Sequence, residues 1–458
     1  MRGESMSTNI AASEVGTLRQ HHQGAVLISG EPGYDEARRI WNGMIDRRPA
    51  VIARSVSTAD VAVAIAYARD RDLILSVRGG GHSFPGHSVN DGGMMIDLSP
   101  MKRVEVDPKQ RTVRAQPGVL WGELDGATHA HGLAVTGGQI SHTGIAGLTL
   151  GGGIGWLMRK YGLTCDNLLA AEIVTADGRI VRASAGENGD LFWGLRGGGG
   201  NFGVVTEFTY QLHPVKFVLG GLLAFPLPVG MQVLQSLRDY LPTLPDELTT
   251  TTFLLTTPDG HKALGVGLCY CGDPSNGELW AAPIRRMGPV VMEQLGAMPY
   301  PALQSMLDQV AVPGRRYYLK SNFVGELYDD ALDVLIDAYM RVPSPLSAIL
   351  LVQMGGAVSR MEHATTAFYH RDAAMSFSAF ASWTDPAEDQ ASIDWTRQLW
   401  EKLQPHMPAG VYVNELADEG EERVRAAYGP AYDRLALLKQ KYDPDNLFSL
   451  NQNIRPAL

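Results

Sequence analysis

Apolar residues in the first eighty positions recur at spacings that predict a helix between two strands. Residues 35–53 predict a first helix that leads into a strand at 49–53. Ser57 and Asp60 then supply a hydroxyl and a carboxylate for the first turn of a second helix. The apolar stripe of that helix is Val61, Ala64, Ile65 and Ala68. The apolar run 74–77 completes a small α/β unit, whose strand ends bring loops to a ligand.

Strand patterns continue to about residue 213, with a short helix expected around 121–131. The strand candidates are 94–98, 104–107, 112–115, 167–175, 178–183 and 204–213. The dipeptide Asp177-Gly178 lies between two apolar runs, which is typical of a hairpin turn. We therefore expect a ligand-binding domain at 30–215 that consists of two α/β subdomains, after a polar N-terminal segment at 1–29.

From Val218 onward, prolines cluster and apolar strands alternate with longer amphipathic helices. The predicted helices are 231–241, 329–341, 389–404 and 421–442. The predicted strands are 219–225, 250–256, 264–271, 317–323, 348–354 and 376–383. Strands paired in this way, with helices on one face, indicate an α+β layer. This pattern separates a second domain at 216–410 from a C-terminal segment at 411–458.

The composition is that of an ordinary globular protein, with 458 residues, 45% hydrophobic and 19% charged. Its net charge of −10 argues against nucleic acid or an anionic membrane as a partner. Cys165, Cys269 and Cys271 fit neither a disulfide framework nor the spacing of a zinc site, so no metal is expected. The first residues lack the apolar core of a signal peptide, and we expect a cytoplasmic protein.

Three glycine clusters stand out. Gly79, Gly80 and Gly81 follow the strand at 74–77, and further clusters span 144–155 and 195–203. Glycines after a strand give a loop whose backbone N–H groups can approach an anion without interference from side chains. No Gly-Lys-Ser/Thr follows the second or third cluster, and no acidic residue completes a dinucleotide fingerprint. One such cluster is explained by tight turns, whereas three predict a long phosphate-bearing ligand.

These clusters also carry a family resemblance. The motifs R-G-G-G-H-S, G-I-A-G-L-T-L-G-G-G-I-G, L-F-W-G-L-R-G-G-G-G-N-F-G and K-Y-D-P-D-N-L-F-S-L-N-Q-N-I resemble the FAD-linked oxidases of the vanillyl-alcohol oxidase/berberine-bridge enzyme superfamily. The likeness is strongest to 6-hydroxy-D-nicotine oxidase and runs from about Pro32 to the C-terminus. It implies a PCMH-type FAD-binding domain, an α+β cap domain with an antiparallel sheet over the flavin, and a C-terminal segment that returns to the FAD domain.

The resemblance also implies how the cofactor is held. In the family, the histidine after the three glycines is bonded to the 8α-methyl of the flavin, so His82 is expected to carry 8α-histidyl FAD. The residues that the motifs place at the cofactor are Arg78, Gly79, Gly80, Gly81, His82, Ser83, His87, Ser88, Gly138, Thr143, Gly144, Gly147, Gly151, Gly152, Gly153, Gly155, Ile173, Val174, Asn451 and Asn453. Many relatives add a second link from a cysteine, where this chain has Ile140, so a single covalent link is expected.

Two features bear on the reaction. The position that gates oxygen in these relatives matches Thr143, whose small side chain favours O₂ as electron acceptor. The Y-x-N-Y run that carries the base in many relatives reads Tyr412-Val413-Asn414-Glu415 here. A carboxylate buried beside a flavin has a raised pKa and can act as a base, which makes Glu415 and Tyr412 candidate catalytic residues. Glu415 equally fits the start of an acidic, solvated helix cap.

The cap domain contributes three further candidates. Tyr318 and Lys320 share one face of a predicted strand and would bind an oxygen or anionic substituent, unless Tyr317 is the inward residue. Gln353 roughly matches a substrate-binding glutamate of the nicotine oxidase, and Leu351 stands near its lysine. The loss of both charges makes the same amine substrate doubtful.

The resemblance implies an FAD-dependent oxidase of a C–OH or C–NH centre in a small, ring-containing metabolite, with O₂ as acceptor and H₂O₂ as product. Three alternatives remain open at this point. One is a flavin dehydrogenase that uses another acceptor. A second is a flavin-binding protein without turnover, which the absence of the second tyrosine at position 415 supports. The third is an NAD-binding Rossmann protein, which the missing fingerprint disfavours.

Overall fold

The computed structural model of the chain describes residues 15–407 and 410–457. The first fourteen residues of the predicted polar segment, residues 408–409 at the end of the predicted cap domain, and residue 458 lie outside the described residues. The described part contains four sheets, of four, five, two and seven strands. The two α/β subdomains and the separate antiparallel sheet predicted from the sequence are therefore confirmed.

The first sheet has the strand order β1-β2-β4-β3, with β1 antiparallel and the others parallel. Its elements are α1 (Gly16–His21), β1 (Val26–Leu27), α2 (Tyr34–Ala37), β2 (Val51–Arg54), α3 (Thr58–Arg69), β3 (Leu75–Arg78) and β4 (Met94–Asp97). Ser57 caps α3 as predicted, because its side chain accepts a hydrogen bond from the Asp60 backbone N–H. Since α1 and β1 belong to this unit, the part of the polar segment from residue 15 onward is not separate from it.

The helix predicted from residue 35 is much shorter than expected, ending at Ala37. The chain beyond it packs against the second domain instead: the Gly43 N–H donates to the Arg315 carbonyl at 2.7 Å. Trp41 is buried and its ring stacks on that of Tyr317 with centroids 3.8 Å apart. Tertiary packing therefore overrides the helical pattern here.

The second sheet is antiparallel, with the order β5-β6-β10-β8-β9. Its unit comprises β5 (Val104–Asp107), β6 (Thr112–Ala115), α4 (Trp121–His129), β7 (Leu133–Ala134), α5 (Ile145–Leu150), α6 (Met158–Tyr161), β8 (Leu168–Val174), β9 (Ile180–Ser184), α7 (Gly189–Leu195) and β10 (Val204–Gln211). The hairpin expected at Asp177-Gly178 is confirmed, since β8 and β9 pair from Val174 opposite Ile180.

The cap domain contains a seven-stranded antiparallel sheet in the order β15-β12-β14-β13-β17-β18-β16. Its elements are β11 (His213–Pro214, paired with β7), β12 (Phe217–Pro226), α8 (Gly230–Tyr240), β13 (Leu248–Thr256), β14 (Lys262–Tyr270), α9 (Pro274–Arg285), β15 (Met292–Pro299), α10 (Tyr300–Gln304), β16 (Arg316–Val324), α11 (Asp329–Met340), β17 (Ala348–Gln353), α12 (Ala357–Arg360), β18 (Met375–Trp383) and α13 (Asp389–Leu403). Strand β15 escaped prediction because this edge strand contains the polar pair Glu293-Gln294 and Gly296.

Helices α8, α9, α11 and α13 pack in one apolar cluster on one face of the large sheet. The other face turns toward the first half of the chain, where Phe253 and Leu350 pack in a cluster with Trp156. Because helices cover one face of this sheet, its other face is available to form the wall of a cavity. This arrangement determines which side chains of β13, β16, β17 and β18 can reach a ligand.

The C-terminal segment forms α14 (Glu421–Tyr428) and α15 (Tyr432–Tyr442), rather than the single helix predicted from the sequence. Gly429 lies between them at φ +53°, and Pro430 supplies no backbone N–H for a continuous helix. Lys439 on α15 is fully buried and donates to the carbonyls of Asn201 and Phe448 and to the Asp443 carboxylate, at 2.8, 3.0 and 2.6 Å. These hydrogen bonds join the C-terminal segment to the third glycine cluster.

Replacing Lys439 by methionine should destabilise the protein by about 3–5 kcal/mol, since it leaves the buried Asp443 carboxylate without its cation. Urea unfolding followed by circular dichroism measures this loss. The matched control is Lys441→Met on the same helix, whose ion pair with Asp190 is exposed and contributes at most about 1 kcal/mol. Equal losses of unfolding free energy in the two variants would contradict this role of Lys439 in the C-terminal segment.

Because of Asp125 on α4, the free energy of unfolding should fall as pH rises. Its carboxyl is buried without a hydrogen-bond partner among the described residues, and this burial raises its pKa well above the usual value. The folded state therefore keeps a proton that the unfolded state releases, so stability is lost above the unfolded pKa. Asp125→Asn should raise Tm more at pH 7 than at pH 4 in thermal scans, and an equal shift at both values would contradict this.

Candidate active site

The three glycine clusters meet at one cavity of about 420 Å³ between the first half of the chain and the inner face of the large sheet. Gly79–Gly81, Gly144 with Gly147, and Gly199 with Gly200 and Gly203 all line it. The first two clusters touch through their backbones: a Cβ on Gly80 would lie 2.5 Å from both N and Cα of Gly144. Side-chain-free backbone is therefore required where these loops cross.

Fourteen of the residues predicted for the site line this cavity. They are Gly79, Gly80, Gly81, His82, Ser83, His87, Ser88, Gly138, Thr143, Gly144, Gly147, Tyr412, Glu415 and Asn451. They come from both α/β subdomains and from the C-terminal segment, which are far apart in sequence. The fold thus brings together most of the predicted set.

Several predicted cofactor residues are not in the cavity wall. Arg78 donates a hydrogen bond to the Ala37 carbonyl and lies 4.0 Å from the Asp97 carboxylate. Its charge therefore interacts with residues of the first α/β subdomain. Ile173 and Val174 are buried within β8, opposite Val205 and Val204, which line the cavity in their place. Asn453 is also outside the lining.

The glycines Gly151, Gly152, Gly153 and Gly155 are likewise not cavity residues. They allow close packing within the protein: a Cβ on Gly151 would lie 2.0 Å from Oδ1 of Asn414, and one on Gly155 would lie 1.7 Å from the Gly137 carbonyl oxygen. Of the glycines in the second cluster, Gly144 and Gly147 line the cavity, whereas the later ones serve packing within the protein.

The prediction that Tyr318, Lys320 and Gln353 belong to the pocket is wrong. Tyr318 accepts a hydrogen bond from Arg397 on α13, and Lys320 pairs with Glu419 at 2.6 Å. Gln353 is bonded to Thr250 and to the Leu241 carbonyl. Side chains alternate along strands, so the neighbouring Leu319 and Val352 line the cavity instead. The open alternative, with Tyr317 inward, is the one observed.

Sequence reasoning missed an aromatic wall beside His82. The Trp41 ring stacks on the His82 imidazole at 4.6 Å and on Tyr317 at 3.8 Å, with Phe84 edge-on at 5.2 Å. Phe84 in turn contacts Phe380 of β18. No motif marks Trp41, because it lies in irregular chain whose position only the folded structure fixes.

Glu415 is the one carboxylate in the described lining of the cavity. Its Oε2 accepts hydrogen bonds from Ser378 Oγ at 2.6 Å and Ser321 Oγ at 2.8 Å. Burial raises the pKa of Glu415, while the two hydroxyls act in the opposite direction by stabilising the ionised form. The alternative of a solvated helix cap does not hold, since the side chain is enclosed between the sheet and the cavity.

The other titratable groups at the cavity are neutral near pH 7. Burial lowers the pKa of His82 to about 3 and that of His87 to about 4. Tyr412 has a raised pKa for the same reason, and its hydroxyl accepts a hydrogen bond from the Gly153 N–H at 2.9 Å. Tyr412 thus positions the second glycine cluster, while Glu415 alone is suited to accept a proton.

The residues present fit a flavin dinucleotide. Glycine backbone from three loops leaves room for a phosphate-bearing chain, and unpaired polar atoms face the same region. Among the described residues His87 Nε2, Ser88 Oγ and Asn451 Oδ1 are buried, belong to residues of the cavity wall and have no hydrogen-bond partner. Such groups are costly unless a ligand satisfies them.

Two other kinds of site are absent from residues 15–407 and 410–457. No three His, Cys, Asp or Glu side chains converge there as a metal site. No helix within these ranges has the length and apolar character needed to cross a membrane.

Two family models match the chain: an FAD binding domain over residues 49–184, and the berberine and berberine-like family over residues 411–455. An FAD-linked oxidoreductase of Dictyostelium discoideum is 34% identical, with 95% of each chain covered. (R)-6-hydroxynicotine oxidase of Paenarthrobacter nicotinovorans is 32% identical over 95% of this chain and 97% of that enzyme.

Solved structures agree with this assignment. The crystal structure of 6-hydroxy-D-nicotine oxidase from Arthrobacter nicotinovorans superposes with a TM-score of 0.88 at 30% identity, over 95% of this chain and 98% of that one. Glucooligosaccharide oxidase from Acremonium strictum, which has a 6-S-cysteinyl, 8α-N1-histidyl FAD, gives 0.86 at 25% identity, over 94% and 97%. The shared fold, the matched FAD-binding segment and the glycine-lined cavity lead to one conclusion. This chain belongs to the berberine-bridge-enzyme-like FAD-linked oxidoreductases of the vanillyl-alcohol oxidase superfamily.

Proposed function

We propose that this enzyme is an oxidase that carries FAD on His82, oxidises a C–OH or C–NH centre of a small ring-containing metabolite, and passes the electrons to O₂ to give H₂O₂. The observation that carries the proposal is the position of Glu415. This carboxylate lines the same cavity as His82 and has its pKa raised by burial. A group that accepts a proton and a cofactor that accepts a hydride are the two requirements of this reaction.

The single covalent link is supported by two residues of the cavity wall. His82 faces the cavity, and its Nδ1 has no hydrogen-bond partner among the described residues. Ile140 also lines the cavity, at the position where doubly linked relatives have a cysteine. With no thiol there, only the histidine link is available.

The proton-handling role falls to Glu415. FAD, when bound, supplies the hydride acceptor. The Glu415 carboxylate takes the proton from the substrate O–H or N–H as the adjoining C–H bond breaks. Ser321 and Ser378 hold its Oε2 by two hydrogen bonds, so the other oxygen is free to face the substrate. A base fixed in this way needs little reorganisation during the reaction.

The remaining walls favour a flat, largely apolar substrate. Trp41, Phe84 and Phe380 present aromatic rings, and Leu319, Leu350 and Val352 supply aliphatic surface from the cap sheet. Such surfaces bind rings by stacking and burial, with the single carboxylate fixing the orientation. Thr143 lies in the same wall, and its small side chain leaves space for O₂.

An oxygen electrode and a peroxide assay test the proposal with a panel of cyclic secondary amines and cyclic or benzylic alcohols. We expect O₂ uptake and equimolar H₂O₂ with at least one member. Reduction of a dye without O₂ uptake would instead identify a dehydrogenase. A flavin that no panel member reduces under anaerobic conditions would contradict the proposed substrate class.

A further inference from the structure

His82 has a second histidine as its direct partner. His82 Nε2 lies 2.8 Å from His142 Nδ1, which is a hydrogen bond between two imidazoles. His142 is half-buried and does not itself line the cavity. Trp41 stacks on the His82 ring with an interplanar angle of 19°. The ring is therefore held by a stack on its face and by a hydrogen bond at one nitrogen.

The direction of this hydrogen bond decides which nitrogen of His82 can react. Burial lowers the pKa of both histidines, so each ring is neutral and has a single N–H proton. When His82 donates from Nε2, its Nδ1 keeps a lone pair, and this nitrogen has no partner among the described residues. An imidazole nitrogen with a free lone pair is the nucleophilic one.

The surroundings of His142 suit a group that receives a proton. The Asp308 carboxylate accepts hydrogen bonds from the backbone N–H and hydroxyl of the adjacent Ser141, at 2.8 and 2.5 Å. Its negative charge stabilises a positive charge on His142, against the effect of burial. His142 is thus neutral at rest and has a carboxylate near it when it becomes cationic.

We propose that His142 is the positioning residue for covalent attachment of the flavin: it orients His82 and takes the proton from His82 Nε2 as Nδ1 bonds to the flavin. This inference rests on the covalent link proposed above. Attack by Nδ1 forms an N–C bond to the 8α carbon, and one 8α C–H bond breaks. The Nε2 proton passes to His142, and the 8α proton leaves to solvent. The two electrons remain on the flavin until O₂ takes them together with two protons, which gives H₂O₂.

The test measures attachment itself rather than turnover. Protein expressed under riboflavin limitation is mixed with FAD, and acid-precipitable flavin fluorescence is followed with time alongside total bound FAD. His142→Leu removes both the hydrogen bond and the base, and we expect attachment about 100-fold slower with FAD still bound. His142→Asn keeps an acceptor near the Nδ1 position but cannot take a proton, and we expect attachment at least about tenfold slower.

A half-buried histidine outside the cavity provides the matched control. His213 is bonded to Asn167 at 2.6 Å, and burial lowers its pKa to about 4. His213→Leu should therefore attach flavin at the wild-type rate. A wild-type rate in either His142 variant overturns the inference; should His142→Leu not fold, His142→Asn decides. Wild-type protein without any acid-stable flavin would contradict the proposed covalent link itself, which is a distinguishable result.

Discussion

Replacing Glu415 by glutamine should lower kcat by about 100- to 10,000-fold, the usual contribution of a general base. The amide keeps the size and the hydrogen bonds of the side chain but cannot accept a proton. Since burial raises the pKa of Glu415, the wild-type rate should increase as pH rises through that pKa and then level off. Steady-state kinetics across pH measure both effects, and the acid limb should disappear in Glu415→Gln.

Two further variants separate this role from damage to the fold. Ser378→Ala removes a hydroxyl that stabilises the carboxylate, so the acid limb should move to higher pH while the rate at alkaline pH is kept. Tyr318→Phe changes the opposite face of the sheet and should leave the profile unchanged. A Glu415→Gln enzyme with wild-type kcat would show that another group takes the proton.

Replacing Gly80 by alanine should weaken FAD binding by about tenfold or more and lower stability by about 1–3 kcal/mol. The new Cβ would lie 2.5 Å from backbone atoms of Gly144, which cannot rotate away as a flexible side chain can. The first two glycine loops must then move apart, which widens the part of the cavity that binds FAD. The ratio of flavin absorbance to protein absorbance after gel filtration, together with Tm, measures the effect.

Gly126→Ala is the control for this substitution. Gly126 is exposed on α4, and nothing lies within 4 Å of the point that an alanine Cβ would occupy there, so alanine should be neutral or slightly stabilising. Retention of stoichiometric FAD in Gly80→Ala would mean that the loops tolerate a wider spacing than the structure indicates.

The sequence was informative where the backbone conformation or a close approach of two segments restricts which residue type can occupy a position. Glycine clusters after strands predicted the glycine-lined cavity. Period-two and helical patterns predicted most strands of the three larger sheets and the helices α3, α8, α11 and α13 within a few residues, but they missed α9 and β15. The same motifs located His82 and Glu415, because family patterns place them at fixed offsets. Local pattern and global fold agree at these positions.

The sequence was less informative where tertiary contacts decide. Strand alternation alone left Tyr317 and Tyr318 as equal candidates for the inner face, and only the packing against Trp41 resolves this. The glycines from 151 to 155 match the family motif yet serve contacts within the protein, which their type cannot reveal. The hydrogen bond between His142 and His82 joins residues sixty positions apart in the sequence, and no periodic pattern predicts it.

The most direct measurement of the central claim is a peptide map of acid-denatured wild-type protein. Trypsin cleaves after Arg78 and after Lys102, which releases a peptide over 79–102 that contains His82. We predict that this peptide carries the flavin, by mass and by fluorescence, and that His82→Ala yields only flavin that acid releases. Flavin that washes entirely into the supernatant from the wild type, or that stays on a different peptide, would contradict the assignment of His82.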